Sequence, residues 1–128
     1  MTHEDLAVWI AAYERAWRTP GTDELSRLFA PAASYSAAPF DPPIRGLGAI
    51  ATFWEAERES ADEAFEMTWE SVAVDDPIAV ARVEVRYLDP PARLYRDLWI
   101  IELDADGRCV AFEEWPFWPE QGRTATDQ

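Results

Sequence analysis

Apolar side chains recur at three- and four-residue steps in the first quarter of the chain. From Glu4, the segment EDLAVWIAAYERAWR predicts a helix whose apolar stripe consists of Leu6, Trp9, Ile10, Tyr13 and Trp17. The sequence TPG at Thr19–Gly21 ends this helix. A second, shorter helix is predicted from Thr22 or Asp23 as N-cap, through ELSRLFA, and Pro31 ends it.

A strand, a rigid loop and a third helix are predicted next. The segment ASYSA at Ala33–Ala37 indicates a short strand, and the loop APFDPPIRG contains three prolines, which cannot donate backbone hydrogen bonds. The third helix follows in GLGAIATFWEAERES and runs to about Ser60, and its apolar face consists of Leu47, Ile50, Phe53 and Trp54.

The remaining sequence alternates apolar and polar residues with the period of a strand. Four strands are predicted, in the segments FEMTWESVAV, PIAVARVEVRYL, RLYRDLWIIEL and RCVAFEEWPFW. The tetrapeptide DADG, Asp104–Gly107, is typical of a hairpin turn between the last two. We therefore expect one α+β domain over residues 1–128, with an antiparallel sheet, helices on one of its faces, a core at about 5–118 and a flexible tail at 119–128.

The net charge and the composition limit the classes of molecule that the protein is expected to bind. The formal net charge of −14 disfavours nucleic acids and anionic membranes, which bind basic surfaces, and leaves a small neutral or cationic ligand as an option. No apolar run is long enough to span a membrane and the N-terminus lacks the basic start of a signal peptide, so a cytoplasmic protein is expected. Seven Trp, six Phe and four Tyr supply surface for a core or a ligand cavity.

The sequence gives little support for a nucleophilic cysteine or for a metal site. Cys109 is the only cysteine and lies in a predicted strand, where it fits a small buried hydrophobe. The only histidine, His3, is expected in a frayed N-terminus, too far away to act as its base. No metal-ligand spacing and no glycine-rich phosphate loop is present, so we expect neither a metal nor a cofactor.

The order of elements resembles the nuclear transport factor 2-like superfamily, in its SnoaL-like branch. The resemblance runs from about Asp5 to Trp118, and its most specific part is LFAPAASY followed by RGLGAIATFW. It implies a cone-shaped fold in which a curved antiparallel sheet wraps around three N-terminal helices and leaves an apolar pocket open at one end. Members include ketosteroid isomerases, epoxide hydrolases, polyketide cyclases and binding domains without catalysis, so the fold does not choose the function.

The isomerase-type site of the family is only partly present. Tyr13 aligns with the catalytic tyrosine of the first helix, but the position of the base aspartate holds Ala37 and that of the protonated aspartate holds Trp99. The epoxide-hydrolase pattern needs Arg and Asp two apart on one strand, whereas Arg96 and Asp97 are adjacent and would face opposite sides. A cyclase-like site with one buried carboxyl group as acid and base stays open.

Strand alternation, combined with the family alignment, selects the residues of a candidate site. Asp97 and Glu114 are expected on adjacent strands and to face inward as an acidic pair, with Tyr13 as the third catalytic candidate. The candidate ligand-binding residues share aromatic side chains on the inner side; they are Trp17, Tyr35, Phe40, Trp54, Tyr87, Tyr95, Trp99 and Phe112. The same alternation sends Pro116 and Trp118 inward. A bulge near Pro116 would instead turn Glu113 inward in place of Glu114.

Two classes of function follow from this interpretation. The first is a small-molecule-binding protein with an apolar aromatic pocket, which as an enzyme would be a cofactor-independent isomerase, cyclase or dehydratase acting on a hydrophobic carbonyl compound. The second is a non-catalytic binding or dimerisation module whose cavity is filled by its own side chains. Outward-facing Trp115 and Phe117 predict a homodimer through the outer sheet face.

Overall fold

The computed structural model describes residues 1–58 and 64–119. The described elements are α1 His3–Arg18, α2 Leu25–Leu28, β1 Phe29–Ser36, β2 Ile44–Arg45, α3 Leu47–Glu57, β3 Phe65–Asp75, β4 Ile78–Tyr87, β5 Arg93–Leu103 and β6 Cys109–Phe117. This is the predicted α+β order of three helical segments and a sheet. The predicted end of the third helix near Ser60 and the predicted tail beyond residue 119 lie outside the described residues.

Helix α1 begins earlier than predicted, and side-chain hydrogen bonds cap its first turn. The Thr2 hydroxyl accepts a hydrogen bond from the Asp5 backbone N–H at 3.1 Å, and the Asp5 carboxylate accepts one from the Thr2 N–H at 2.8 Å. This reciprocal capping box satisfies two backbone donors of the first turn. His3 stacks on Trp69 with ring centroids 5.8 Å apart, so the predicted frayed N-terminus is wrong.

The second helix is shorter than predicted. It ends at Leu28, because the chain turns extended at Phe29 and that ring is completely buried. Strand β1 therefore begins four residues before the predicted Ala33 and contains Pro31. The strand tolerates this proline because its ladder with β6 is interrupted between Phe29 and Ser34.

The six strands form one sheet in the order β2-β1-β6-β5-β4-β3. The neighbours are antiparallel, as in the predicted antiparallel sheet, except β1 and β6, which run parallel. The turn before β6 forms as predicted: Gly107 has φ +81°, a conformation in which glycine is favoured.

The register of β5 and β6 determines which side chains face the helices. Trp99 lies opposite Glu114 and Asp97 lies opposite Pro116, while Leu98 lies opposite Trp115. The irregularity in this ladder falls between Glu102 and Leu103, upstream of the glutamates, and not near Pro116. Glu114 therefore points to the inner face and Glu113 to the outer face.

The core lies between the helices and the inner face of the sheet. Its fully buried large side chains include Leu6, Ile10, Phe29, Ile50, Trp54, Trp99, Ile101 and Phe112. Trp9 fixes α1 to the end of α2, since its indole N–H donates to the Leu28 carbonyl oxygen at 3.0 Å. In the described part of the chain, no helix has the length and apolar character needed to cross a membrane.

Candidate functional site

A cavity of about 390 Å³ lies between the helices and the inner face of the sheet. Its wall combines eight aromatic and four acidic side chains among the described residues. Eight of the eleven candidate site residues from the sequence line it: Tyr13, Trp17, Tyr35, Tyr87, Tyr95, Asp97, Trp99 and Glu114. The volume falls within the range typical of small-molecule sites.

Three aromatic candidates do not line the cavity. Phe40 is fully exposed, because a turn closed by the Asp41 N–H and the Ala38 carbonyl projects it into solvent. Trp54 is completely buried behind the wall, where its ring packs against Tyr13 at 5.0 Å.

Phe112 also belongs to the core and not to the cavity. It stacks on Tyr35 at 4.8 Å and meets Trp9 at 5.9 Å, where α1 covers the inner face. Trp118 was expected to face inward, but it follows the last residue of β6, where strand alternation no longer applies. Its side chain is 42% exposed and its ring meets Tyr95 at 6.2 Å.

Asp97 is a buried residue with a charged side chain, and 5% of its surface is exposed. Its Oδ1 atom has no hydrogen-bond partner within this part of the chain. A buried carboxyl oxygen without a partner is costly, which marks the position as a candidate for contact with a ligand. Burial raises the pKa of Asp97 above its ordinary value.

Glu114 lies diagonally across from Asp97 on the neighbouring strand and on the same face. Its Oε2 accepts a hydrogen bond from the Trp99 indole N–H at 3.1 Å. Burial and the repulsion of the Asp97 carboxylate raise the pKa of Glu114 well above its ordinary value, and this outweighs the Trp99 hydrogen bond, which lowers the pKa.

The two carboxyl groups therefore form an unequal pair. Two adjacent buried carboxylates cannot both ionise cheaply, so the charge of each one disfavours the charge of the other. Burial is the largest cause of the raised pKa at both groups, and repulsion from Asp97 raises the pKa of Glu114 further. The pKa of Glu114 is raised more than that of Asp97, which makes Glu114 the candidate acid and Asp97 the candidate base.

Two tyrosines complete the polar part of the wall. The hydroxyl groups of Tyr13 on α1 and Tyr35 on β1 are 3.2 Å apart, and either can donate to the other. Burial is the main reason that the pKa values of both lie well above 10, and Glu114 adds to the effect at each. Both phenols are thus neutral, and the one that accepts the shared hydrogen bond keeps its own O–H for a further acceptor.

Several residues that line the cavity were not predicted from the sequence. Asp41 lies in the proline-rich loop and Glu57 ends α3, where the sequence pattern indicated only solvent-facing charge. Arg93 begins β5 and stacks over Tyr87, with its guanidinium carbon 4.7 Å from the ring centre. For Phe65 and Met67, the inward alternation of β3 was the signal that could have identified them.

The described residues do not favour a cysteine nucleophile, a metal site or an Arg–Asp pair of the epoxide-hydrolase kind. Burial raises the pKa of the Cys109 thiol to about 12, so it is not a nucleophile at neutral pH. Within residues 1–58 and 64–119, no group of three or more His, Cys, Asp or Glu is placed to hold a metal ion. Arg96 is exposed on the outer face opposite Phe117 while Asp97 is buried on the inner face, so these neighbours do not form a common site.

Comparison with known proteins agrees with this fold. One similar solved structure is an LEH-like epoxide hydrolase from M. tuberculosis, with a TM-score of 0.65, 14% sequence identity and coverage of 89% of this chain and 84% of the other. Another, from Jannaschia sp. CCS1, is described as a SnoaL-like polyketide cyclase and has a TM-score of 0.66, 15% identity and 84% coverage of both chains. No curated protein matches the sequence.

The sequence itself provides the assignment to a family. Residues 10–112, most of the chain, match the model of the SnoaL-like domain. This span includes α1 from Ile10 onward, the strand that carries Asp97 and Trp99, and the beginning of β6. The chain belongs to the SnoaL-like domain family, within the nuclear transport factor 2-like fold.

Proposed function

We propose that the cavity binds a small, largely apolar carbonyl compound and that Asp97 and Glu114 move a proton on it. The observation that carries the proposal is the buried carboxyl pair, with one unpartnered oxygen, in the wall of an open cavity of about 390 Å³. An open cavity also favours ligand binding over a barrel filled by its own side chains. Related proteins with this fold include a protein described as a polyketide cyclase.

The roles of the two carboxyl groups follow from their surroundings. The Asp97 carboxylate, as the base, takes a proton from the carbon next to the ligand carbonyl, and negative charge develops on the carbonyl oxygen. A tyrosine O–H of the Tyr13–Tyr35 pair donates to that oxygen. Glu114, held by Trp99, returns a proton to another atom of the ligand, which gives an isomerisation, a cyclisation or the loss of water.

The exchange of carbon-bound hydrogen in D₂O tests this proposal without knowledge of the natural substrate. With 2-tetralone as the probe, we expect the wild-type protein to accelerate deuterium incorporation next to the carbonyl, followed by proton NMR. Asp97→Asn is expected to reduce the protein-dependent rate by about 100-fold, the usual scale of a general base. Glu113→Gln, on the outer face, is the matched control and should leave the rate unchanged.

The alternative is a non-catalytic binding domain of the same fold. It predicts saturable binding of 2-tetralone to the protein with exchange no faster than in buffer. Exchange that is equally fast in wild type, Asp97→Asn and Glu114→Gln would reject the roles assigned to the carboxyl pair.

We also propose a homodimer through the outer face of the sheet. Leu98 and Ile100 form an apolar strip there, and the neighbouring rings of Trp115 and Phe117 are 36% and 46% exposed. Charges of both signs border the strip, including the ion pair of Arg82 and Glu70. Such a surface suits a two-fold contact, in which each charge meets its opposite on an identical patch.

A further inference from the structure

We propose that the cavity selects ligands that carry an organic cation, such as a protonated amine, and excludes organic anions. This inference rests on the proposed binding function and specifies the class of ligand. The amine would be a second group on the apolar compound, distinct from the carbonyl group on which the carboxyl pair acts.

The charge of the cavity wall is the first observation. Four acidic side chains line it: the buried pair of Asp97 and Glu114, and exposed Asp41 and Glu57. Glu57 acts on the interior of the cavity, because its charge contributes to the raised pKa values of Tyr35 and Glu114. These four acidic groups outnumber the one cationic group of the described wall, Arg93.

The basic side chains near the cavity are already engaged. Arg93 stacks over Tyr87, and two further arginines stack on wall rings without lining the cavity themselves. Arg18 lies over Phe65 at 3.9 Å and pairs with Glu14, while Arg58 lies over Trp17 at 5.4 Å and pairs with Glu55. None of these ion pairs involves the four acidic groups of the cavity.

The aromatic wall and the unpartnered oxygen are the second and third observations. Tyr13, Tyr35, Tyr95 and Trp99 also line the cavity, and aromatic faces attract ammonium groups, most strongly where water is excluded. Asp97 lines the same cavity, and its Oδ1 atom is buried without a partner in the described chain. An ammonium group between carboxylates and aromatic rings gains from both, whereas a carboxylate ligand would meet repulsion from the acidic side chains.

A series of three probes with one scaffold tests the inference. The probes are 3-(1-naphthyl)propylamine, 3-(1-naphthyl)propanol and 3-(1-naphthyl)propanoate, titrated by calorimetry at about pH 7, where an alkylamine is protonated as a lysine side chain is. We expect the amine to bind about tenfold or more tightly than the alcohol, the scale of a partly desolvated cation–π and charge interaction, and the carboxylate not to bind.

Matched variants show whether the acidic wall causes the preference. Glu57→Gln and Asp41→Asn are each expected to weaken amine binding several-fold and to leave alcohol binding unchanged. Glu66→Gln removes the same charge from an exposed position on the outer face of β3 and should change neither.

The possible outcomes separate the two proposals. An alcohol that binds as tightly as the amine, or amine binding that is insensitive to Glu57→Gln and Asp41→Asn, overturns the cation preference and leaves the proposed binding function standing. Failure of all three probes to bind contradicts both proposals.

Discussion

The indole N–H of Trp99 donates a hydrogen bond of 3.1 Å to the carboxyl group of Glu114, its direct partner across the β5–β6 ladder. Asp97, two residues before Trp99, lies on the same face beside Glu114. The ladder thus holds an acidic pair in a fixed orientation against the cavity. The proposed chemistry depends on this arrangement, since it raises the pKa of Glu114 more than that of Asp97.

Glu114→Gln is expected to stabilise the protein at neutral and alkaline pH. The raised pKa of Glu114 means that its ionisation opposes folding, so the wild type loses stability as pH rises from the unfolded-state pKa of about 4.3 through the folded-state value. The groups facing Glu114 are Asp97 on β5, Tyr13 on α1, Tyr35 on β1 and Glu57 on α3.

Urea unfolding at several pH values measures this effect. The stability gained by Glu114→Gln should be smallest near pH 5 and grow as the pH rises to about 8, because ionisation of Glu114 increasingly opposes folding of the wild type. Glu113→Gln, which removes a charge from the outer face, is the control. A gain from Glu114→Gln that is equal at both pH values would contradict the raised pKa.

Trp99→Phe is expected to raise the pKa of Glu114 further, because it removes the donor that stabilises the carboxylate. The substitution also leaves a cavity in the core, which costs stability whatever the charge of Glu114. Trp9→Phe separates the two effects. It truncates another buried indole, whose N–H donates to a backbone carbonyl, and should leave the titration of Glu114 unchanged.

The contributions of the two buried tyrosines, Tyr13 and Tyr35, to the stability of the fold are expected to be coupled. Tyr13→Phe or Tyr35→Phe leaves one buried hydroxyl without its partner, at a cost of about 1 to 3 kcal/mol in the free energy of unfolding. The double variant should cost less than the sum of the single variants, since no orphaned hydroxyl is left. Additive losses in this double-mutant cycle would show that the 3.2 Å contact does not stabilise the fold.

Trp115→Glu is expected to convert the proposed homodimer into a monomer, since it places a charge in the apolar strip of the outer face. Sedimentation equilibrium of wild type and variant measures the change. Phe40→Glu is the control, because Phe40 is an exposed aromatic residue away from the sheet face, in the loop between β1 and β2. A wild-type protein that sediments as a monomer would contradict the proposed interface.

Most of the candidate site could be predicted from the periodicity of the strands. Alternation along β5 and β6 placed Asp97, Trp99 and Glu114 on one face, because both strands are regular over these residues. The helix period likewise directed Tyr13 and Trp17 towards the sheet. The family resemblance supplied the inward direction, which periodicity alone does not determine.

The errors fall where local periodicity does not control the structure. Phe40 lies in a proline-rich turn, whose direction depends on backbone angles that the sequence pattern does not give. Trp54 and Phe112 face inward as expected, but the packing of α1 decides that they fill the core and do not line the cavity. Asp41 and Glu57 reach the cavity from a loop and a helix end, positions that look solvent-exposed in any sequence pattern.

The titration of the carboxyl groups by carbon-13 NMR tests the central claim most directly. With assigned side-chain signals of Asp97 and Glu114, we predict that Glu114 titrates at a higher pH than an ordinary glutamate and that its titration shifts to lower pH in Asp97→Asn. Full ionisation of both Asp97 and Glu114 below about pH 5, as in ordinary carboxyl groups, would contradict the proposed acid–base pair.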